Sequence, residues 1–286
     1  MTDTPIWTPS PARKAATNMA RFAAVAAAAG APVPPEDYAA LHRWSVTEPA
    51  AFWAELWRFC GVIADERPHA APWDAVLEAP GGMVPVSAPD GPRWFRGARL
   101  NFAENLLRFA DDRAAIVAWT EQGRQQVITY RQLHGQVERC AAALVASGVA
   151  AGDRVAGFLP NVPEAIIAML ATARIGAVWS SCSPDFGAKG VLDRFGQIRP
   201  TVLVAVDGYR YAGKAIETLP RVREIAAALP DLRRVVIVPT LTAEPAMAEI
   251  PGALTWQAWL DAAAAVPAPP FDRGPFDRPL CILLSL

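Results

Sequence analysis

Lysine is nearly missing from this sequence. Lys14, Lys189 and Lys214 are the only three in 286 residues, so arginine carries almost all of the positive charge. Net charge is missing too: 27 basic residues face 28 acidic ones, and a formal charge of −1 offers no footprint for nucleic acid or an anionic membrane. The histidines, His42, His69 and His134, stand alone, and His134 lies in a helical pattern where it reads as a surface or packing residue. Cys60, Cys140, Cys182 and Cys281 have no paired spacing. That excludes a disulfide framework or a zinc cluster and points to reduced thiols in a cytoplasmic protein. No metal site is expected.

A long apolar run is lacking as well. Residues 22–35 are uncharged, but the stretch is alanine-rich and broken by Gly30, Pro32, Pro34 and Pro35. It falls short of the roughly 20 residues that span a bilayer. The amino terminus, MTDTPIWTPSPARK, has no basic region followed by an apolar one, so no secretory signal is expected. No internal repeat is visible. With 52% hydrophobic residues the chain has ample material for a core, which excludes disorder and predicts a soluble protein.

The first hundred residues read as helical and then extended. A helix over 12–30 has Ala15, Met19, Phe22, Ala26 and Ala29 at steps of three and four, and Gly30 closes it. A second carries Tyr38, Leu41 and Trp44. A third, TEPAAFWAELWRFCG, starts on Thr47 as cap with Pro49 in its first turn. Its stripe of Phe52, Leu56 and Phe59, flanked by Trp53 and Trp57, reads as a core or docking face. Residues 61–100, including APGGMVPVSAPDGPRWF, read as an extended connector.

From residue 101 strands and helices alternate. RAAIVAW and QQVITY are strands joined by a turn at Gln122-Gly123, and Thr129 with Gln132 makes a capping box for the helix that Gly148 ends. DRVAGFLP, AVWSSC, TVLVAV and RRVVIV are strands. NVPEAIIAMLATARIG, GAKGVLDRFGQI and residues 218–229 are helices, and an Ala/Pro-rich passage covers 239–279. Asn161 and Glu164 read as caps, and Asp153 and Arg154 as the start of a strand. This alternation predicts an α/β fold with a mostly parallel, doubly wound sheet. The ending, RPLCILLSL, reads as one more buried parallel strand, and such strands deliver loops to the ligand side of the sheet.

Two long stretches, RWFRGARLNFAENLLR and GDRVAGFLPNVPEAIIAMLATARIGAVWSSCSPDFGAKGVLDRFGQIRP, resemble the amino-terminal part of acyl-CoA synthetases of the adenylate-forming family. LHRWSVTEPAAFWAELWRFCG, SSCSPDFG and DGYRYAGK are more narrowly similar to the acetoacetate–CoA ligase branch. The resemblance implies an amino-terminal helical lid and extended region over 1–100 and an incomplete AMP-binding domain over 101–286. It implies a reaction of acetoacetate, ATP and CoA through an acyl-adenylate, with Mg2+ as the metal. In that family the strand LxILxS runs into a Ser/Thr/Gly-rich loop ending in lysine that wraps the ATP phosphates. Here Leu284 and Leu286 depart from the pattern, and the loop, the magnesium ligand and the catalytic lysine would all lie beyond 286. A truncated or frame-shifted product, inactive alone and without an ATP/Mg2+ site, is therefore expected. No catalytic residue is named.

One partial site is implied. In related enzymes the nucleotide phosphates of CoA lie near a short turn and two basic residues, which match Ser183, Pro184, Asp185 and Phe186, with Arg210 and Lys214. A helix beginning near Gly187 would point its amino end at an anion. Asp185 opposes that role by its charge, and DGYRYAGK also reads as a solvated loop with Arg210 paired to Asp207. Two further functions stay open. One is a ligase for another short acid such as acetate or propionate. The other is a non-catalytic binding or partner module that complements a second polypeptide, such as a carboxyl-terminal segment, or docks on a homologue.

Overall fold

The structure, a computed structural model, describes residues 6–34, 37–79 and 91–284. It forms two compact units, one of residues up to Arg99 together with Pro275–Asp277, the other of Leu100–Gly274 together with residues from Arg278 onward. Among the described residues no helix is long and apolar enough to cross a membrane.

In the first unit the single helix expected over 12–30 is two, α1 (Pro11–Ala15) and α2 (Asn18–Ala28). Thr17 breaks it: its backbone is extended, and its hydroxyl accepts from the Ala20 N–H at 3.2 Å, starting a new helix instead of continuing the old one. Asp37 caps α3 (Tyr38–Thr47). Thr47 does not cap α4 (Pro49–Cys60). It is the last residue of α3, and its hydroxyl donates to the Arg43 carbonyl at 3.0 Å. Glu48 forms the junction, and Pro49, which has no N–H to satisfy, opens α4.

Most of the aromatic stripe packs inward, while Trp53 is exposed. Phe22, Leu41 and Trp44 are buried against Phe52, Leu56 and Phe59, with Phe22 edge-on to Phe52 at 5.5 Å. Trp57, Trp73, Phe95 and Phe276 form a second cluster with neighbouring centroids 4.5–5.2 Å apart. The expected connector holds an antiparallel pair, β1 (Ala75–Glu78) and β2 (Arg93–Arg96), in the register Leu77 to Trp94. Its Pro/Gly-rich middle, 80–90, lies outside the described residues. A two-residue strand, β3 (Arg99–Leu100), follows.

The second unit opens with α5 (Phe102–Leu106) and the hairpin β4 (Ala114–Thr120) and β5 (Gly123–Thr129). Thr120 pairs with Gly123, so the turn is Glu121-Gln122, one residue earlier than expected. The capping box of α6 (Tyr130–Ala146) is present. Then come β6 (Arg154–Phe158), α7 (Pro163–Arg174), β7 (Val178–Cys182), α8 (Ala188–Ile198) and β8 (Val202–Val206). A second hairpin, β9 (Gly208–Tyr211) and β10 (Lys214–Glu217), precedes α9 (Leu219–Ala228) and β11 (Arg234–Val238). The Ala/Pro-rich passage contains a short strand, β12 (Leu254–Thr255), and α10 (Trp256–Ala262).

The parallel sheet runs β12-β11-β8-β6-β7. On one face Val155, Val204 and Val236 pack against Val137 and Leu144 of α6, Ile167 of α7 and Trp259 of α10. On the other, Phe158, Leu203 and Ile237 meet Phe195 of α8 and Ile225 of α9. The sheet is thus doubly wound. Its order reverses at β6: the next strand, β7, lies on one side, and β8 and β11 lie on the other.

The ending differs from the buried strand expected. Trp179 N–H donates to the Leu280 carbonyl at 3.0 Å and Ile282 N–H to the Trp179 carbonyl at 2.9 Å, making one parallel bridge beside β7. Cys281 is exposed and Leu283 is 91% exposed. Leu280 packs against one core cluster and Ile282 against the other, whereas residues two apart in a regular strand share a face. Ser285 and Leu286 lie outside the described residues.

Gly157 shows how tightly β6 is packed. A methyl group there would lie 2.6 Å from the Trp179 ring. Gly157→Ala is expected to cost about 1–3 kcal/mol through overpacking. Urea unfolding should show it as a lower midpoint at an unchanged slope.

Candidate functional site

Strand order locates the site before any side chain does. Where neighbouring strands send their connections to opposite sides, the loops diverge and leave a crevice at the carboxyl ends. The reversal at β6 opens such a crevice, a cavity of about 460 Å³. Leu159, Pro160 and Asn161 line it after β6, Ser181 to Asp185 at the end of β7, and Tyr209, Arg210 and Tyr211 after β8.

The turn after β7 is held from both sides. The Phe186 N–H donates to the Ser183 carbonyl at 3.3 Å, and the Ser183 hydroxyl donates to the Asp185 carboxylate at 2.8 Å. Arg221 of α9 donates to the carbonyls of Pro184 at 2.7 Å and Phe186 at 3.2 Å. The Arg194 guanidinium lies 4.5 Å over the Phe186 ring, which draws Phe186 towards α8 and out of the cavity lining. Gly187 is the N-cap of α8, as the sequence suggested.

Asp185 is held as a carboxylate in the cavity wall. The Tyr209 hydroxyl, then the Ser183 hydroxyl, and the nearby positive charge of Arg221 hold its carboxyl below the ordinary carboxylate range. Tyr209 is shifted upward by burial and by Asp185. The Asp185 oxygens are thus hydrogen-bonded within the wall while the group keeps its negative charge. Cys182 shares that wall, and burial pushes its thiol up to about 12, opposed by Arg194, so it is no nucleophile near neutral pH.

Arg210 and Lys214 sit on one hairpin but on opposite faces. Arg210 pairs with Ala215 and Lys214 with Tyr211, and side chains alternate along each strand. Arg210 lines the cavity and Lys214 does not. The pairing of Arg210 with Asp207 is absent. Asp207 is buried and accepts from the N–H groups of Thr240, Leu241 and Thr242 and from the Thr240 hydroxyl, at 2.6–3.2 Å. It ties β8 to the loop after β11, and Arg210 has no carboxylate partner among the described residues.

One further reading is corrected. Asn161 does not cap α7. Val162 occupies that position with no side-chain bond, and Asn161 is free to line the cavity. Glu164 lies in the first turn of α7, where burial raises its carboxyl. Arg154 starts β6 as expected and also donates to the Ile198 and Arg199 carbonyls, closing the end of α8. Tyr209 and Arg221 had not been singled out. Two alternating runs around Ala212-Gly213 are a hairpin signal that would have found Tyr209. Arg221 has no such signal, because its partners are distant carbonyls. Among the described residues no three His, Cys, Asp or Glu side chains converge to hold a metal ion.

A family model described as AMP-binding enzyme matches residues 102–274, most of the chain. The chain belongs to the AMP-binding enzyme family. A second model, Acetyl-coenzyme A synthetase N-terminus, matches residues 38–106. Among members of the AMP-binding enzyme family, the chain is similar to the acetoacetyl-CoA synthetase of Macaca fascicularis, 38% identical over 98% of this chain and 41% of that protein. The Rhizobium meliloti acetoacetyl-coenzyme A synthetase is 43% identical over 87% of this chain and 36% of its own length. The solved acetoacetyl-CoA synthetase from Streptomyces lividans superposes with a TM-score of 0.84 at 41% identity, covering 99% of this chain and 41% of that one. The chain thus spans about two-fifths of the length of these AMP-binding relatives.

The wall network predicts a titration. Asp185 should titrate below its ordinary value of 3.8, and Tyr209→Phe, which removes the largest cause, should move it back up. Because the folded value is depressed, the stability it contributes is present above 3.8 and fades as pH falls through the folded value. Carboxyl carbon shifts followed by NMR through acid pH check both statements; an Asp185 midpoint unmoved by Tyr209→Phe would contradict them.

Proposed function

We propose that this chain is the amino-terminal portion of an acetoacetate–CoA ligase and that its cavity receives the nucleotide end of CoA. The complete enzyme would join acetoacetate to ATP, releasing pyrophosphate and leaving acetoacetyl-AMP. The CoA thiol would then displace AMP to give acetoacetyl-CoA. The observation that carries the substrate is the 38–43% identity to acetoacetyl-CoA synthetases over 87–98% of this chain. The family implies use of ATP, CoA and Mg2+. On this reading the chain alone forms no acetoacetyl-CoA, and adenylation needs a complementary carboxyl-terminal segment. The four free cysteines fit the reducing cytoplasm, where we place the protein.

The residues present suit a phosphate in part. Arg210 is a cation on the cavity wall without a carboxylate partner among the described residues, and a guanidinium fork matches phosphate oxygens. The Ser183 to Phe186 turn, stiffened by Arg221, supplies a fixed wall beside it. Asp185 stays within that wall through Ser183 and Tyr209. Phe186 supports the turn from behind, and Lys214, which does not line the cavity, acts as a more distant charge.

Calorimetric titration with CoA tests the reading. CoA should bind and pantetheine, which lacks the nucleotide, should not. Arg210→Ala should weaken CoA by about tenfold, the value of one charge-assisted contact, and Lys214→Ala by less. Equal binding of CoA and pantetheine, or no effect of Arg210→Ala, would remove the assignment. Incubating the chain with acetoacetate, ATP, Mg2+ and CoA should yield no acetoacetyl-CoA; any product would contradict its inactivity alone.

A further inference from the structure

The β9–β10 hairpin that presents Arg210 turns through Ala212 and Gly213, both with positive φ, +50° and +74°. This is the backbone of a type I′ turn, where asparagine-glycine is preferred. Alanine there brings its Cβ against the following carbonyl, at about 1–2 kcal/mol. The hairpin's own sequence therefore does not favour its turn.

Help comes from 91 residues earlier. The carboxylate of Glu121 accepts from the Ala212 N–H at 2.7 Å and from the Gly213 N–H at 2.9 Å, one oxygen to each. Successive N–H groups converging on one anion form a nest. Glu121 is itself held in the two-residue turn of the β4–β5 hairpin, where the Thr120 hydroxyl accepts from the Gln122 N–H at 3.1 Å. Two hairpins are thus joined tip to tip by a carboxylate, and the second forms the cavity wall with Tyr209, Arg210 and Tyr211.

We propose that Glu121 is a positioning residue: its carboxylate, seated in the nest at the tip of the β9–β10 hairpin, holds that hairpin so that Arg210 faces a phosphate-bearing ligand in the cavity. Glu121 touches no ligand. It acts by raising the population of the ordered hairpin, and affinity falls in proportion when that population falls. The ligand in this inference, CoA, rests on the function proposed above; the latch itself does not.

Three forms of the chain test it: the natural sequence, Glu121→Ala, and Glu121→Ala combined with Ala212→Asn, which supplies the residue the turn prefers. Hydrogen exchange over residues 208–217 should quicken in Glu121→Ala, with β6 and β8 unchanged, and slow again in the double variant. Affinity for CoA should fall about fivefold in Glu121→Ala, as expected if the ordered hairpin drops to about a fifth of the population, and recover in the double variant. Recovery without the carboxylate distinguishes positioning from ligand contact. Unchanged exchange in Glu121→Ala, or an affinity loss that Ala212→Asn does not repair, overturns the proposal. If the natural chain binds no CoA, the CoA reading fails, and the exchange measurement alone decides whether the latch exists.

Discussion

The chain leaves β6 towards one side of the sheet and returns past it to the other, and this reversal places the cavity. Parallel strands need crossovers over one face or the other, and right-handed crossovers fix which face each helix covers. Once β7 lies to one side of β6 and β8 to the other, the loops that follow must diverge. The cavity wall then consists of three short segments: the residues after β6, the end of β7 with its turn, and strand β9. Packing beneath is correspondingly strict. Gly157 gives up a side chain so that the Trp179 ring can lie across β6.

The scarcity of lysine has a structural counterpart. Arginines repeatedly end helices and loops by donating to carbonyls far away in sequence: Arg154 to Ile198 and Arg199, Arg174 to Pro269, Arg221 to Pro184 and Phe186, Arg233 to Gly148, Arg234 to Gly252. A planar fork of donors can satisfy two acceptors at fixed angles, which an ammonium group cannot do as well. These five arginines act as scaffold residues, whereas Arg210 faces the cavity. Carboxylates play the complementary part. Asp207 gathers three N–H groups and a hydroxyl from the loop after β11, and Glu121 gathers two N–H groups from a hairpin turn.

Much of the fold was legible in the chain. The capping box at Thr129 and Gln132 announces α6, and the all-apolar middle of α7 announces a covered helix. Less was legible where two local signals competed. Thr17 and Thr47 are both good caps by type; one breaks a helix expected to be continuous, and the other ends the helix before the one it was expected to start. The choice depends on which backbone donor the hydroxyl meets, and packing of Phe22 against Phe52 and Phe59 decides the directions of those helices. Of the candidate site, Ser183, Pro184, Asp185 and Arg210 line the cavity, Phe186 and Lys214 do not, and Tyr209, Asn161 and Arg221 complete it.

The sequence by itself determined the kind of protein: hydrophobic period and turn residues act over a few neighbours, so alternating strands and helices could be read directly. The long stretches shared with acyl-CoA synthetases were readable for the same reason, being local and contiguous. Only the tertiary structure decided which face of the hairpin Arg210 takes, that Asp207 is spent on the loop after β11, and that Glu121 reaches across 91 residues to hold a turn. Those outcomes depend on register and on contacts between distant segments, where one residue of shift reverses every side chain, and no local pattern encodes them.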